Sequence, residues 1–353
     1  MMFASKKDIV GIDIGTSAVK MVRLREARGT YHLQNIGIMP LEPETIIDNA
    51  IMDSPAIVDV IQNLLGSMKI KTRQVATSVS GHSVIIRKIN LPMMTESELE
   101  ASIQWEAEQY IPFDVSEVNI DFHIIGPDPK DPSQMSVVLV AAKKDFVNDH
   151  SAVFAEAGLT PVVMDVDCFA VENMFDYNYG FVEGEVVALI DLGASATSVN
   201  IMRGSNSVFT RDIQTGGNLL SQELQKRLGV SSEDAERIKL GERKIADLIP
   251  DEIEQVLADA TENLVQEVQR SLDFFSATSS EESIGKVYLT GGVAASERVQ
   301  QVLAQRLGID VERIDPFRNI AINEKQFDRE YLNAIGPMFS VATGLAMRKV
   351  GDK

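Results

Sequence analysis

One strand-turn-strand pattern is written twice in this chain, 178 residues apart. Gly11-Ile12-Asp13-Ile14-Gly15-Thr16-Ser17 returns as Leu189-Ile190-Asp191-Leu192-Gly193-Ala194-Ser195. Each copy runs on into a second apolar strand, Val19 to Leu24 and Thr197 to Met202. A hairpin duplicated at that separation points to two lobes of related build, each with the chemistry of a phosphate grip. Glycine at 15 and 193 gives access to backbone conformations closed to other residues, and removes the Cβ that would keep a phosphate from main-chain N–H groups. Thr16, Ser17, Ala194 and Ser195 keep the turns small and mostly hydroxylated. An aspartate beside a polyanion is repelled unless a divalent cation lies between them. Magnesium is held by one or two carboxylates, waters and phosphate oxygens, so Asp13 and Asp191 are the candidate metal ligands. Lys20, seven residues beyond Asp13, is spaced to return to the same phosphates as a point charge. The second copy has Ser198 there, so the two lobes are not equivalent.

A third glycine site follows the second hairpin. Val287-Tyr288-Leu289-Thr290-Gly291-Gly292-Val293 reads as a strand ending in a bare turn before a helix at 296–307. Such a backbone lies flat against a purine, receives a phosphate at the helix start, or is a plain strand-to-helix turn. Around these motifs the periodicity predicts strands at 8–14, 18–24 and 31–38, a helix over Ser54 to Met68 and a strand over Gln74 to Val79. The second half repeats the order with strands at 185–191, 196–202 and 206–212. A Thr215-Gly216-Gly217 turn then opens a helix at Asn218 to Leu228.

At 353 residues with 44% apolar side chains, the chain is long enough for more than one core. A net charge of −19 opposes nucleic acid as a partner and direct adsorption to an anionic membrane. The single Cys168 excludes a disulfide framework, the four histidines have no metal-ligand spacing, and no Gly-x-Ser-x-Gly elbow occurs. Met1 to Asp8 lacks a signal-peptide core and no long apolar run exists, so a cytoplasmic location is expected.

The two Asp-x-Gly hairpins, the Gly-Gly-Asn helix opening and the Leu-Thr-Gly-Gly strand end together resemble the actin, Hsp70 and sugar-kinase ATPase superfamily. The resemblance implies an α/β, two-lobed actin-like (ribonuclease H-like) fold binding ATP and Mg2+. Gly15, Thr16, Ser17, Lys20, Gly193, Ala194, Ser195, Gly216 and Gly217 would grip phosphates, with Gly291, Gly292 and Val293 at the adenosine. Ala235-Glu236-Arg237-Ile238-Lys239 matches the helix whose acid and lysine reach the nucleoside in bacterial actin-like proteins, which adds Glu236 and Lys239.

Residues 83–160 resemble the small α+β insertion of the FtsA and PilM families, and Arg87-Lys88-Ile89-Asn90-Leu91-Pro92 followed by Glu106 to Pro112 is similar to PilM. The implied division is 1–82 with 161–182 as the first lobe and 83–160 as the insertion. Residues 183–229 with 283–353 form the second lobe, and 230–282 a helical subdomain within it. The implied role is a scaffold of the type IV pilus inner-membrane platform, meeting other platform proteins and assembly ATPases. It would take the N-terminal cytoplasmic peptide of a PilN-like membrane protein into a groove by the insertion and reach the membrane only through that partner. Val84, Ile86, Ile89, Leu91, Met93 and Met94 are the apolar groove candidates, or ordinary core. The FtsA terminal amphipathic helix has no counterpart before Lys353, and 334–347 is expected to pack into the core. A filament-forming FtsA- or MreB-like role, or a small-molecule kinase, are the alternatives. Asp165, Asp167, Glu172 and Asn173 are the polar residues near the inter-lobe helix that could orient water. None stands out and Asp167 also suits a helix N-cap, so slow turnover or structural nucleotide is expected.

Overall fold

The computed structural model describes residues 9–128, 130–242, 248–279 and 283–352; the reading of Met1 to Asp8 lies outside them. The first hairpin opens a meander of β1 (Val10–Ile14), β2 (Ala18–Ala27) and β3 (Thr30–Pro40). After the two-residue strands β4 (Ile46–Ile47) and β5 (Ala50–Ile51) comes α1 (Ser54–Ser67), capped by Asp53, whose carboxylate accepts from Ala56 N–H at 3.0 Å. Its buried stripe Ile57, Ile61, Leu64 and Leu65 covers the sheet, as expected of apolar residues three and four apart. The chain then enters β6 (Gln74–Val79), parallel to β1.

The insertion comprises β7 (Val84–Pro92), α2 (Glu96–Ala107), β8 (Val118–Pro127) and β9 (Gln134–Lys143), with β9 in the middle of an antiparallel sheet ordered β7-β9-β8. Thr95 and Glu98 close a reciprocal cap on α2. Helix α3 (Lys144–Glu156) leads to β10 (Thr160–Val166), which completes the first sheet in the order β10-β6-β1-β2-β3.

Helix α4 (Asp167–Asn178) joins the lobes. The second lobe adds β11 (Val186–Leu192), β12 (Thr197–Arg203), β13 (Asn206–Ile213), α5 (Asn218–Leu228), α6 (Ser232–Lys239) and α7 (Pro250–Thr278). It continues with β14 (Lys286–Thr290), α8 (Glu297–Leu307) and β15 (Asp310–Arg313). Its sheet runs β13-β12-β11-β14-β15, the same plan of three antiparallel strands extended by two parallel ones. The duplicated motif is therefore a duplicated sheet. The registers agree as well: Asp13 stands opposite Lys20, and Asp191 opposite Ser198. Two further helices, α9 (Arg329–Ile335) and α10 (Ser340–Met347), end the described chain.

Three features depart from the sequence-based division. Helix α3, assigned above to the insertion, buries Val153 and Phe154 in the core beneath α1 and belongs physically to the first lobe. Helix α10, assigned to the second lobe, packs on β1, β2 and α4 instead. Gly11 and Gly344 make that approach possible, since a Cβ at either would overlap the backbone of Ala342 or Ala170. A link between Arg348 Nε and Asp165 at 2.8 Å ties the end of α10 to β10. Helix α7 is divided between two cores: Ile253, Val256 and Leu257 cluster with α5 and α6, while Val268, Leu272 and Phe275 join the core of the second sheet. A sequence division by element order cannot see which core a helix shares.

Candidate nucleotide-binding site

The two hairpins meet at the floor of a cleft of about 760 Å³. Gly15 N–H donates to Ala18 C=O at 3.1 Å, which leaves Thr16 and Ser17 at the tip of the first turn. Gly193 N–H donates to Ala196 C=O at 3.0 Å, which leaves Ala194 and Ser195 at the tip of the second. Ser195 Oγ then donates to Thr16 Oγ1 at 3.1 Å, a bond between lobes. The glycines act differently from the expectation. Neither Gly15 nor Gly193 has a positive φ, so conformational freedom is not the reason for them. Space is: a Cβ at Gly15 would come within 2.9 Å of Lys20 Nζ, and one at Gly193 within 2.8 Å of Ala196 O.

Four aspartates line this cleft with one lysine from the first hairpin: Asp13, Asp167, Asp191, Asp212 and Lys20. Lys20 Nζ pairs with Asp13 Oδ2 at 2.9 Å. Burial by itself would lower the Lys20 pKa, but Asp13, with Asp191 and Asp167 behind it, holds it above the ordinary value. Burial pushes Asp191 up to about 7, helped by the charges of Asp13 and Asp167 and opposed by Lys20. Burial and Asp13 raise Asp167 to about 6, against hydrogen bonds from Ser78 and Ser80. The carboxylates thus exceed the positive charge available, which is the donor set that a hard divalent cation bridging to phosphate oxygens would relieve. Among the described residues no group of three or more His, Cys, Asp or Glu is arranged to hold a metal alone. The chemistry therefore fits a magnesium ion whose remaining ligands are phosphate and water, with Asp13 and Asp191 as its protein side.

A pH dependence follows. An unfolded aspartate loses its proton near pH 4, whereas folded Asp191 and Asp167 keep theirs to about 7 and about 6. Across that window the native state holds more protons, so stability falls as pH rises. The nucleotide-free protein should lose on the order of 2 kcal/mol between pH 5 and pH 8. Thermal melts at the two pH values measure this, and saturating magnesium and ATP should flatten the difference.

The structure places Gly217, Glu236, Lys239, Gly291, Gly292 and Val293 on the same cleft wall. Gly216 is not on it. A Cβ at Gly216 would fall 2.6 Å from Gly193 O, so this residue lets α5 seat against the second hairpin. The first amides of α5 are used likewise: Gly217 N–H donates to Gly193 C=O at 2.9 Å and Asn218 N–H to Ala194 C=O at 2.7 Å. This glycine pair therefore braces the second hairpin from behind. Lys239 Nζ and Glu236 Oε1 pair at 2.7 Å, and Ser221 Oγ bonds both. Gly291 has φ +88°, and a Cβ there would overlap the Asp191 carboxylate and Leu192 carbonyl. Its neighbour Gly292 faces open space, with only Met338 Cε at 3.8 Å.

Of the four residues considered for orienting water, only Asp167 lines the cleft. It is the first residue of α4 rather than its N-cap. Asp165 is taken by Arg348, and Glu172, raised to about 8 by burial, accepts from Asn200 Nδ2 at 2.5 Å. Asp212 was missed from the sequence. It sits opposite Ser198 on β13 and accepts from Gly81 N–H of the other lobe at 3.1 Å. The corresponding register position in the first lobe, opposite Lys20, is Ile38, so the repeat carried no signal for it.

The apolar groove candidates divide by the pleat of the insertion sheet. Ile89 and Leu91 are buried with Leu99 and Ile103 beneath α2, and Met94 packs against them, so these three belong to the core. Val84 and Ile86, on the alternate register positions of β7, lie on the other face with Val138 and Val140 of β9, half-buried. Met93 is exposed beyond the strand end.

Two sheets of one plan closing on a cleft, with an acidic hairpin from each, define an actin-like ATPase fold. MreB5 of Spiroplasma citri bound to ADP shares it over 96% of this chain and 94% of its own, at 13% identity and a TM-score of 0.53. A family model for the type IV pilus assembly protein PilM matches residues 11–350, and the chain belongs to that family. A solved PilM-PilN type IV pilus biogenesis complex contains a chain 30% identical to this one, with a TM-score of 0.86 over 98% of this chain and 99% of that one. The cell division protein FtsA of Bacillus subtilis (strain 168) is 23% identical over 90% of this chain and 80% of its own length.

Proposed function

We propose that this PilM-family protein binds magnesium–ATP between its lobes and serves as a cytoplasmic scaffold of the pilus inner-membrane platform. The observation that carries the nucleotide reading is the Ser195–Thr16 contact, which sets both Asp-x-Gly turns on one cleft. Asp13 and Asp191 would hold the metal, the two hairpin tips and Lys20 the phosphates, and Glu236, Lys239 and the Gly291-Gly292 turn the nucleoside. The metal would neutralise phosphate and carboxylate charge, while the residues position the nucleotide and draw the lobes together. Turnover is expected to be slow, because Asp167, alone of the four candidates on the cleft wall, is already engaged by Ser78 and Ser80.

The partner reading rests on the likeness to a chain solved with PilN. No helix among the described residues is long and apolar enough to cross a membrane. Attachment through a PilN-like membrane protein would place the scaffold at the inner membrane, next to other platform proteins and assembly ATPases. Its N-terminal cytoplasmic peptide would lie against the Val84–Ile86 face of the insertion. Ile86→Asp places a charge on that half-buried face and should weaken calorimetric binding of a synthetic peptide of that partner by about 100-fold. Unchanged affinity in the folded variant would move the peptide elsewhere.

A further inference from the structure

The outward face of α2 belongs neither to the cleft nor to the Val84–Ile86 sheet face, which lies on the other side of the insertion. It carries Trp105, the only tryptophan in the chain, 65% exposed. On helical geometry Glu98, Ala101 and Glu108 share its side, two turns before, one turn before and one turn after it. All four are exposed, while Leu99, Ile103 and Ala107 bury the opposite side. A bare indole offers about 150–250 Å² of rigid apolar surface and a π-face.

Its electrostatic setting is one-sided. The 41 residues from 89 to 129 hold nine Asp or Glu and no Lys or Arg, so this short stretch supplies almost half the net charge of −19. Three of the cations that flank it in sequence are committed elsewhere or turned away. Lys88 is on the opposite sheet face, where Arg203 bears on it. Lys143 lies 4.6 Å over the Phe113 ring, and Lys144 Nζ donates to Ser116 C=O at 2.7 Å. Among the described residues no cation–π contact is made to the indole, and α2 itself carries no Lys or Arg. The same acidity disfavours a nucleic acid or an anionic lipid surface.

We infer that the Trp105 face of α2 is a second docking site, for an arginine- and lysine-rich segment of a protein partner. A guanidinium would stack on the indole and neighbouring basic side chains would meet Glu98 and Glu108. Tryptophan and arginine are among the residues on which binding energy most often concentrates, and in cation–π pairs indole is the best ring and guanidinium the more frequent cation. Glu98 is already part of the helix cap, its carboxylate accepting from Thr95 N–H at 2.8 Å, so Glu108 is the cleaner residue to alter.

The test uses the full chain and a fluorescein-labelled 12-residue peptide of alternating arginine and leucine. Trp105 emission should shift on titration, and anisotropy should give an affinity that Trp105→Ala weakens by about tenfold and Glu108→Lys by about fivefold. Glu183→Lys, an equal charge reversal in an exposed loop before β11, should change it less than about twofold, as should Ile86→Asp. Equal losses for Glu108→Lys and Glu183→Lys would show diffuse attraction to an acidic protein and overturn the site. Loss with Ile86→Asp but not Trp105→Ala would place the peptide on the other sheet face and overturn it equally. A Trp105 shift with phosphatidylglycerol vesicles in place of the peptide would make the face a lipid contact.

Discussion

Asp191→Ala should lower the affinity for magnesium–ATP by about 100-fold while leaving the nucleotide-free protein as stable as before, or more so. The two halves of this result have one cause. Asp191 lies in the cleft beside Asp13 and Asp167, and burial with those charges pushes its pKa up to about 7. Removing it would relieve repulsion in the nucleotide-free cleft and, on the proposed assignment, take away one of the two carboxylates offered to magnesium. Asp13→Ala should weaken binding similarly but lose stability, because Lys20 then keeps its burial without its 2.9 Å partner. Calorimetry gives the affinities and thermal melts give the stabilities. Binding of magnesium–ATP within twofold of the parent in both variants would overturn the assignment of the cleft.

Gly291→Val should be the most damaging single change in the late glycine turn, costing about 3 kcal/mol or more and abolishing nucleotide binding. Its φ of +88° is strained for a branched residue, and the new Cβ would overlap the Asp191 carboxylate and the Leu192 carbonyl. The anchoring bond from Gly291 N–H to Pro337 C=O at 2.9 Å could not then be kept without moving β14. Gly292→Ala is the informative companion. Its Cβ meets only Met338 Cε, at 3.8 Å, so the fold should be unaffected while the methyl enters the cleft. ATP affinity should fall by about tenfold, measured by calorimetry on a variant with an unchanged melt. Unaltered affinity would make the turn a backbone corner without nucleotide contact.

The glycine pair shows where sequence reasoning loses resolution. Both residues read alike in the chain, yet one is pressed against the second hairpin and the other faces open space. The same holds for Gly216 and Gly217, of which only Gly217 reaches the cleft wall. Residue type announced that something comes close at these points. It could not say whether that thing is a ligand or the protein's own backbone.

By itself the sequence determined the duplicated lobe, because a strand, an Asp-x-Gly turn and a second strand are local patterns that hydrogen bonding and side-chain alternation impose within a few residues. It determined too that Asp13 and Asp191 are equivalent, since their place in the repeat fixes their place in the ladder. Only the tertiary structure decided that Asp212 and Asp167 join them, that Asp165 and Glu172 do not, and that α3 and α10 serve the first lobe. It also separated Val84 and Ile86 from Ile89 and Leu91, which the pleat sends to opposite faces. Each of these depends on contacts between residues far apart in the chain, and the selection among them comes from burial and close packing, which a local pattern does not encode.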